Sequence, residues 1–247
     1  MQWGEQTIER SVCRRSFTVH RGDRRIPGVL YEPAEGPSPR PVVLVGHGAS
    51  ATKDAPYVVA MARRLVRHHG VAAAAIDGPL HGERRADGGS NPALTFLEFS
   101  QAWANDPELT DQAVADSVAT LDALTALASI EAGAAGYLGF SMGTILGLPF
   151  VAAEPRIAAC ALGLMGSTGP TVERICRDAA AITIPTYFLC QWDDELFERA
   201  AVLDLFDRLG AADKVLLAHP GAHAAVPTSA LWAATDFVAQ QLSGARG

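Results

Sequence analysis

The side chain with the clearest chemical role in this sequence is a serine at the centre of a Gly-x-Ser-x-Gly pattern. The pattern occupies residues 139–143, and its serine is Ser141. A short apolar run, residues 135–138, precedes it, and a longer apolar segment follows. This context predicts a strand, a sharp turn and a helix, so that the hydroxyl stands beside the positive end of the helix. A serine held in this way can attack a carbonyl carbon when a base takes its proton.

The two other groups that such a serine requires follow later in the chain. The carboxylate pair Asp193 and Asp194 comes after the apolar run 186–190, and His223 lies in a glycine-containing turn near the C-terminus. Histidine suits proton transfer because its pKa lies near neutrality, and a carboxylate can hold the imidazole in one tautomer. A turn without chemistry would explain the serine pattern alone, but the order serine, acid, histidine favours a catalytic triad.

Five segments of the sequence resemble the α/β-hydrolase family, and in particular its compact dienelactone-hydrolase-like branch of serine esterases. The segments are VVLVGHG (42–48), DGPLHG (77–82), GFSMG (139–143), QWDDEL (191–196) and GAH (221–223). Dienelactone hydrolases proper use a cysteine nucleophile where this chain has Ser141. That difference favours an ordinary ester over a lactone as the substrate.

The resemblance implies a role for each member of the triad. Ser141 is expected to be the nucleophile and His223 the general base. The family pattern around the acid favours Asp194 over its neighbour Asp193, because an apolar residue follows Asp194 two places on.

The resemblance also implies an oxyanion hole built from two backbone amides. One belongs to Met142, directly after the nucleophile, and the other to Ala49, with Ser50 as the alternative. His47 and His81 are interpreted as structural side chains that bind loop backbone. Four further side chains are assigned to the substrate pocket by position alone, with core packing as the alternative for each: Leu80, Trp192, Phe197 and Met165.

Short apolar runs alternate with helical patterns, which predicts βα units and a mostly parallel sheet. We therefore expect one α/β-hydrolase domain over residues 1–247: an eight-stranded, mostly parallel sheet with helices on both faces and a small cap insertion. The predicted strands are 17–20, 28–32, 42–45, 71–76, 135–138, 157–164, 186–190 and 215–218. The predicted helices are 55–67, 111–130, 141–153, 198–209 and 229–242.

The cap is assigned to residues 83–110, the least regular stretch of the sequence. The stretch begins polar and glycine-rich and then becomes apolar and aromatic. A long irregular insertion in a compact domain is often a functional loop, which favours a cap over the acyl pocket. A surface excursion that packs its own aromatic side chains is the alternative.

Composition limits the partners and the compartment. The 247 residues carry a net charge of −7, which argues against nucleic acid, since phosphate binding requires clustered Lys and Arg. The four cysteines show no paired spacing and no apolar leader opens the chain, so a cytoplasmic location is expected. The uncharged stretch 132–153 is interrupted by glycines and a proline, which favours a buried strand and helix over a membrane span. No preference for an oligomeric state follows.

One rival pattern suggests a different class of protein. Residues 46–51 match G-x-G-x-x-A and Asp77 ends the next strand, which is the outline of a dinucleotide site, but two strands precede it where such a domain normally begins. We expect no cofactor and no metal; in particular, the proline and glycine between His219 and His223 prevent a helical zinc site.

The expected function is hydrolysis of small to medium carboxylic esters. A thioesterase, a small peptidase and a non-catalytic ligand receptor remain alternatives.

Overall fold

The structure is a computed structural model that describes residues 1–89 and 91–244. Residue 90 of the predicted cap, and residues 245–247 of the predicted domain, lie outside the described residues. The strands of the described chain are β1 (Gln2–Glu9), β2 (Val12–Arg21), β3 (Arg24–Pro33), β4 (Arg40–Val45), β5 (Ala72–Ile76), β6 (Ile130–Leu138), β7 (Ile157–Gly163), β8 (Thr186–Gln191) and β9 (Lys214–His219). Its helices are α1 (Pro56–His69), α2 (Pro92–Asn105), α3 (Leu109–Thr125), α4 (Met142–Ala153), α5 (Val172–Ala181), α6 (Arg199–Arg208) and α7 (Thr228–Gly244).

The strands form one sheet in the order β1-β2-β3-β5-β4-β6-β7-β8-β9. Strands β1, β2 and β3 are antiparallel, β3 is also antiparallel to β5, and every pairing from β5 to β9 is parallel. The predicted α/β class with a mostly parallel sheet is thereby confirmed. The number of strands differs, since residues 1–89 and 91–244 contain nine rather than eight. The additional strand is β1, whose side chains are nearly all exposed, so that no apolar run marked it in the sequence.

Apolar side chains cover both faces of the sheet. On one face, Met61 and Leu65 of α1 and Val238 of α7 pack in one buried cluster. On the other face, Leu121 of α3 and Leu148 of α4 belong to a second buried cluster. Every residue of β4 is buried, which explains why the central strands read as uninterrupted apolar runs.

Two helices were absent from the sequence prediction. Helix α2 lies inside the predicted cap segment and buries only Thr95 and Phe99, so its apolar periodicity is weak. Helix α5 lies between two predicted strands where no helix was predicted, and it buries only Ile175 and Ala179. Helix α2 therefore gives little periodic signal, whereas α5 has an amphipathic pattern that the prediction did not use.

The carboxyl ends of the parallel strands lie at one edge of the sheet. The loops that follow β4, β6, β8 and β9 carry the histidine–glycine segment, the serine turn, the acidic segment and the second histidine. In open sheets of this type, ligands bind at this edge. Within residues 1–89 and 91–244, no helix has the length and apolar character needed to cross a membrane.

Candidate active site

Ser141 occupies a sharp turn between β6 and α4. Its backbone has φ 57° and ψ −121°, a strained conformation for a residue with a side chain. The Ser141 N–H donates to the carbonyl of Gly163 at 3.0 Å, which ties the turn to the end of β7. Gly139 permits the tight return of the chain, because a Cβ there would lie 2.7 Å from the Gly143 carbonyl oxygen.

Two buried hydroxyl groups brace this turn. The Tyr137 hydroxyl donates to the Gly143 carbonyl at 2.7 Å. Burial raises the pKa of Tyr137, so the phenol keeps the proton that it donates. The Thr144 hydroxyl lies 2.7 Å from the Gly163 carbonyl oxygen and accepts from the Gly163 N–H at 2.8 Å. These bonds offset the strain of the serine backbone.

The structure brings Ser141, His223 and Asp194 together. The Nε2 atom of His223 lies 2.9 Å from Oγ of Ser141, and Nδ1 lies 2.8 Å from Oδ2 of Asp194. The other carboxylate oxygen of Asp194 accepts from the backbone N–H groups of Leu196 and Phe197, at 2.8 and 3.1 Å. The Asp194 side chain is 1% exposed and that of His223 is 12% exposed. A buried, oriented carboxylate therefore faces an imidazole whose other nitrogen faces the serine.

Side chains near the acid also fix the loop that carries His223. Glu195 accepts the backbone N–H of His223 at 2.8 Å, and this hydrogen bond lowers the pKa of the Glu195 carboxyl. Asp193 accepts the N–H of Gly221 at 3.1 Å. The buried amide of Gln191 donates to the carbonyl of Ala222 at 3.0 Å. Sequence reasoning had assigned no role to Gln191 or Glu195, because each contacts backbone atoms about 30 positions away.

Two backbone amides are free to bind an oxyanion beside the serine. The N–H of Met142 is the first of α4 and has no partner in its own helix. Within the described residues, neither this amide nor that of Ala49 donates to a protein acceptor. Ala49, Ser141 and Met142 line one cavity. Positively polarised N–H groups directed into a cavity can stabilise negative charge on a carbonyl oxygen.

Two further histidines of this edge, His47 and His81, bind loop backbone. Nε2 of His47 accepts the N–H of Gly78 at 2.9 Å, so Nδ1 carries the proton and donates to the Gly48 carbonyl at 2.9 Å. Burial lowers the pKa of His47 to about 4, which keeps the ring neutral. The His81 ring nitrogens lie 2.7 and 2.8 Å from the carbonyl oxygens of Pro79 and Ala49. His81 therefore contacts the carbonyl of Ala49, whose amide has no protein acceptor within the described residues.

The cavity beside Ser141 has a volume of about 260 Å³. Its lining comes from the loop after β4, helix α2, the serine turn with the start of α4, and the segments that follow β7 and β8. The lining residues are Ala49, Phe96, Phe99, Ser100, Trp103, Ser141, Met142, Ile145, Thr168, Gly169, Leu196 and Phe197. Helix α2 belongs to the predicted cap segment, so this segment contributes aromatic side chains next to the nucleophile.

The side chains assigned to the pocket from position alone occupy different places. Phe197 lines the cavity. Leu80 and Trp192 are both 39% exposed and lie outside its lining, as does the fully buried Met165.

The carboxylate of the dinucleotide-like pattern is occupied by protein groups. Asp77 is completely buried, and its Oδ2 accepts from Nζ of Lys53 at 2.8 Å and from the N–H of Glu83 at 3.0 Å. Its Oδ1 accepts from the N–H of Lys53 at 3.1 Å. The pair fixes the loops after β4 and β5. Across residues 1–89 and 91–244, no group of three or more His, Cys, Asp or Glu side chains is arranged to hold a metal ion.

Comparison with known proteins identifies a relative of full length. No family model matches the chain. A cold-adapted esterase from an Arctic intertidal metagenomic library, in its PEG-bound complex, is 38% identical with a TM-score of 0.87, covering 98% of this chain and 100% of that one. A dienelactone hydrolase-like promiscuous phosphotriesterase from metagenomic libraries shares the fold, with a TM-score of 0.73 at 21% identity over 95% of this chain and 98% of that one.

A second group of relatives matches over part of its length. The 2,6-dihydropseudooxynicotine hydrolase of Paenarthrobacter nicotinovorans is 35% identical over 126 residues, which are 51% of this chain and 28% of that protein. The solved structure of a 2,6-dihydroxy-pseudo-oxynicotine hydrolase has a TM-score of 0.69 at 25% identity, covering 93% of this chain and 68% of that one. The sequence match thus spans less than a third of the curated relative.

Proposed function

This chain belongs to the α/β-hydrolase superfamily as a carboxylesterase-like hydrolase, and we propose that it cleaves small to medium carboxylic esters through an acyl-enzyme on Ser141. The observation that carries the proposal is the hydrogen-bonded series Ser141, His223 and Asp194, with contacts of 2.9 and 2.8 Å. The strained backbone of Ser141 and the two unpaired amides beside it support the same role. The esterase that matches over 98% of this chain supports an ester as the substrate.

The first half of the reaction forms the acyl-enzyme. Oγ of Ser141 attacks the ester carbonyl carbon while Nε2 of His223 takes the hydroxyl proton. Asp194 accepts a hydrogen bond from the Nδ1–H of His223 and stabilises the imidazolium that forms. The carbonyl oxygen becomes an oxyanion and accepts from the N–H groups of Met142 and Ala49. The tetrahedral intermediate then collapses, the bond to the alkoxy oxygen breaks, and His223 donates its proton to the leaving alcohol.

The second half releases the acid. Water takes the place of the alcohol beside His223. As the water oxygen attacks the acyl carbon, Nε2 of His223 removes a proton from the water. The same two amides bind the second oxyanion, and its collapse returns the proton to Ser141 and frees the carboxylic acid. Every proton transfer thus uses one nitrogen, Nε2, and this requires the His223 loop to keep its position. The contacts from Gln191 and Glu195 supply that constraint.

Turnover of p-nitrophenyl acetate and butyrate by the wild type and by Ser141→Ala tests the proposal. We expect kcat to fall by at least about 10³-fold in the variant. A phosphonate inhibitor should add its mass to the wild type on the peptide that contains Ser141, and not to the variant. Equal turnover in the two proteins, or a label on another residue, would overturn the assignment.

A further inference from the structure

The cavity next to Ser141 lies on one side of the catalytic centre. It includes the serine and both residues whose amides face the oxyanion, Ala49 and Met142, but His223 is not among its lining residues. In an ester cleavage the alkoxy oxygen must lie within reach of the imidazole, because the imidazole protonates it. The alcohol part of the ester therefore lies on the His223 side, and the acyl part extends into the cavity.

The lining of this cavity defines what it can accept. Four of its side chains are aromatic: Phe96, Phe99, Trp103 and Phe197. The lining residues include no Asp, Glu, Lys, Arg or His. A charged acyl group would lose its hydration there without gaining a charged partner. An apolar acyl group has no such hydration to lose, so it enters the cavity more favourably. Aromatic and aliphatic acyl groups instead gain contact with ring faces and edges.

Trp103 of α2 is held in the cavity wall from two directions. Its indole Nε1–H donates to the Thr171 hydroxyl at 2.8 Å. Its ring lies against Gly169, where an added Cβ would overlap the indole. Gly169 has φ +95°, a conformation that glycine adopts without strain. The wall is thus formed by a cap helix fixed to the segment between β7 and α5, and Trp103 cannot move aside without loss of that bond.

The size of the cavity sets a limit on the acyl group. If each non-hydrogen atom needs about the share of one water, ~30 Å³, the cavity volume of about 260 Å³ accommodates ~9 such atoms. An octanoyl or a benzoyl group fits this volume. His223, which must protonate the alkoxy oxygen, is not part of this lining and is 12% exposed, so the alcohol side opens to solvent.

We propose that this chain selects its substrates by the acyl group and is permissive toward the alcohol. Its substrates are esters of uncharged, apolar carboxylic acids with up to about nine non-hydrogen atoms, and Trp103 sets the upper limit. This inference rests on the proposed function, because it assigns the two parts of the ester relative to Ser141 and His223.

Two substrate panels test the proposal. The acyl panel consists of p-nitrophenyl acetate, butyrate, octanoate, laurate, benzoate and monosuccinate. We expect kcat/KM for laurate and monosuccinate to be at least about tenfold below that for butyrate, octanoate and benzoate, a factor typical of one poorly fitting group. The alcohol panel consists of ethyl, butyl, cyclohexyl and benzyl butyrate, for which we expect kcat/KM to vary by less than about tenfold.

Variants at Trp103 locate the origin of the selectivity. Trp103→Ala should raise the laurate-to-butyrate ratio of kcat/KM by at least about tenfold. Trp103→Phe, which keeps a ring but loses the bond to Thr171, should raise it less and serves where the alanine variant does not fold. Trp192→Ala is the matched control. It also replaces a tryptophan by alanine, but at a position that does not line the cavity, so the laurate-to-butyrate ratio should stay unchanged.

The outcomes separate this inference from the proposed function. The inference would be overturned if the laurate-to-butyrate ratio of kcat/KM stayed unchanged in both folded Trp103 variants. It would also be overturned if kcat/KM varied more across the alcohol panel than across the acyl panel. In either case, turnover that depends on Ser141 would still support the proposed function. Absence of turnover for every ester in the wild type would overturn both.

Discussion

The loops after β4 and β9 each place a histidine within two residues of a glycine at the same edge of the sheet, yet the two imidazoles have opposite surroundings. Both ring nitrogens of His47 bond to backbone, and the ring is buried. In His223 one nitrogen faces a carboxylate, the other faces the hydroxyl of Ser141, and 12% of the side chain is exposed. A histidine can exchange a proton with substrate only where one nitrogen is not committed to the backbone.

The difference lies in what surrounds each loop rather than in the residue itself. The ring of His47 is part of the connection between two loops, because it joins the backbone of residues 48 and 78. The loop of His223 is instead fixed through its backbone by Gln191 and Glu195, which leaves the ring free for chemistry. In the His223 loop, backbone contacts position the loop and the ring is left for proton transfer, whereas in the His47 loop the ring itself does the positioning.

The largest expected effect distinguishes the two histidines directly. His223→Gln should lower kcat for p-nitrophenyl butyrate on the order of 10⁴- to 10⁶-fold, because it removes the base that activates Ser141. His47→Ala should instead lower the free energy of unfolding by about 1–3 kcal/mol, because the Gly78 N–H loses its buried acceptor. Initial rates and urea unfolding of both variants check this. A His47 variant that folds normally but loses as much activity as the His223 variant would erase the distinction.

The second prediction compares the two adjacent aspartates on which His223 depends. Asp194→Asn should lower kcat on the order of 10⁴-fold, because the amide no longer holds the required imidazole tautomer. Asp193 is 64% exposed and its carboxylate contacts the Gly221 N–H and Arg199 rather than the imidazole, so Asp193→Asn should change kcat less than about tenfold. Steady-state kinetics with one ester ranks the pair. The reverse ranking would assign the acid to Asp193.

The sequence predicted the parts of the molecule that have a local signature. The serine turn follows from glycines placed around Ser141, and the buried strands follow from uninterrupted apolar runs. Strand β1 and helix α2 escaped prediction because each buries few side chains, so that neither has a periodic apolar face.

Contacts between distant segments were beyond the reach of sequence patterns. The hydrogen bond from Trp103 to Thr171 joins residues 68 positions apart, and neither residue belongs to a motif. Pocket residues were assigned from position alone, which selected Leu80 and Trp192 and did not select the aromatic side chains of α2. The order of chemical groups along a chain is readable, whereas the lining of a cavity depends on how the helices pack.

A smaller effect is expected from the histidine that contacts the oxyanion loop. His81→Ala removes the ring that faces the Ala49 carbonyl at 2.8 Å, so that the neighbouring amide loses its orientation. We expect kcat to fall about 10²-fold with little change in KM, since misplaced groups weaken the transition state more than the ground state. Full progress curves over a range of butyrate concentrations separate the two constants. A rise in KM with constant kcat would instead indicate a role in substrate binding.

The smallest expected effect is a pH dependence of stability that belongs to His47 rather than to catalysis. Burial lowers the pKa of His47 from 6.5 to about 4 in the folded protein. Between these values the unfolded chain binds more protons than the folded one, so the stabilising contribution is complete above pH ~6.5 and is lost as the pH falls toward ~4. Over this pH window the free energy of unfolding of the wild type should fall by on the order of 2 kcal/mol more than that of His47→Asn, whose side chain does not titrate.

Urea unfolding at pH 7, 6 and 5 gives the free energy of unfolding of each protein, and the difference appears in its slope against pH. The variant should be less stable than the wild type at pH 7 and should approach it as the pH falls. His81, whose pKa is also lowered by burial, has its ring centroid 4.9 Å from that of His47, so the comparison is repeated in a His81→Asn background, where only His47 differs. Parallel curves for the two proteins would mean that His47 keeps its ordinary affinity for protons in the folded state. The backbone contacts of its two nitrogens would then not set it apart from an accessible imidazole.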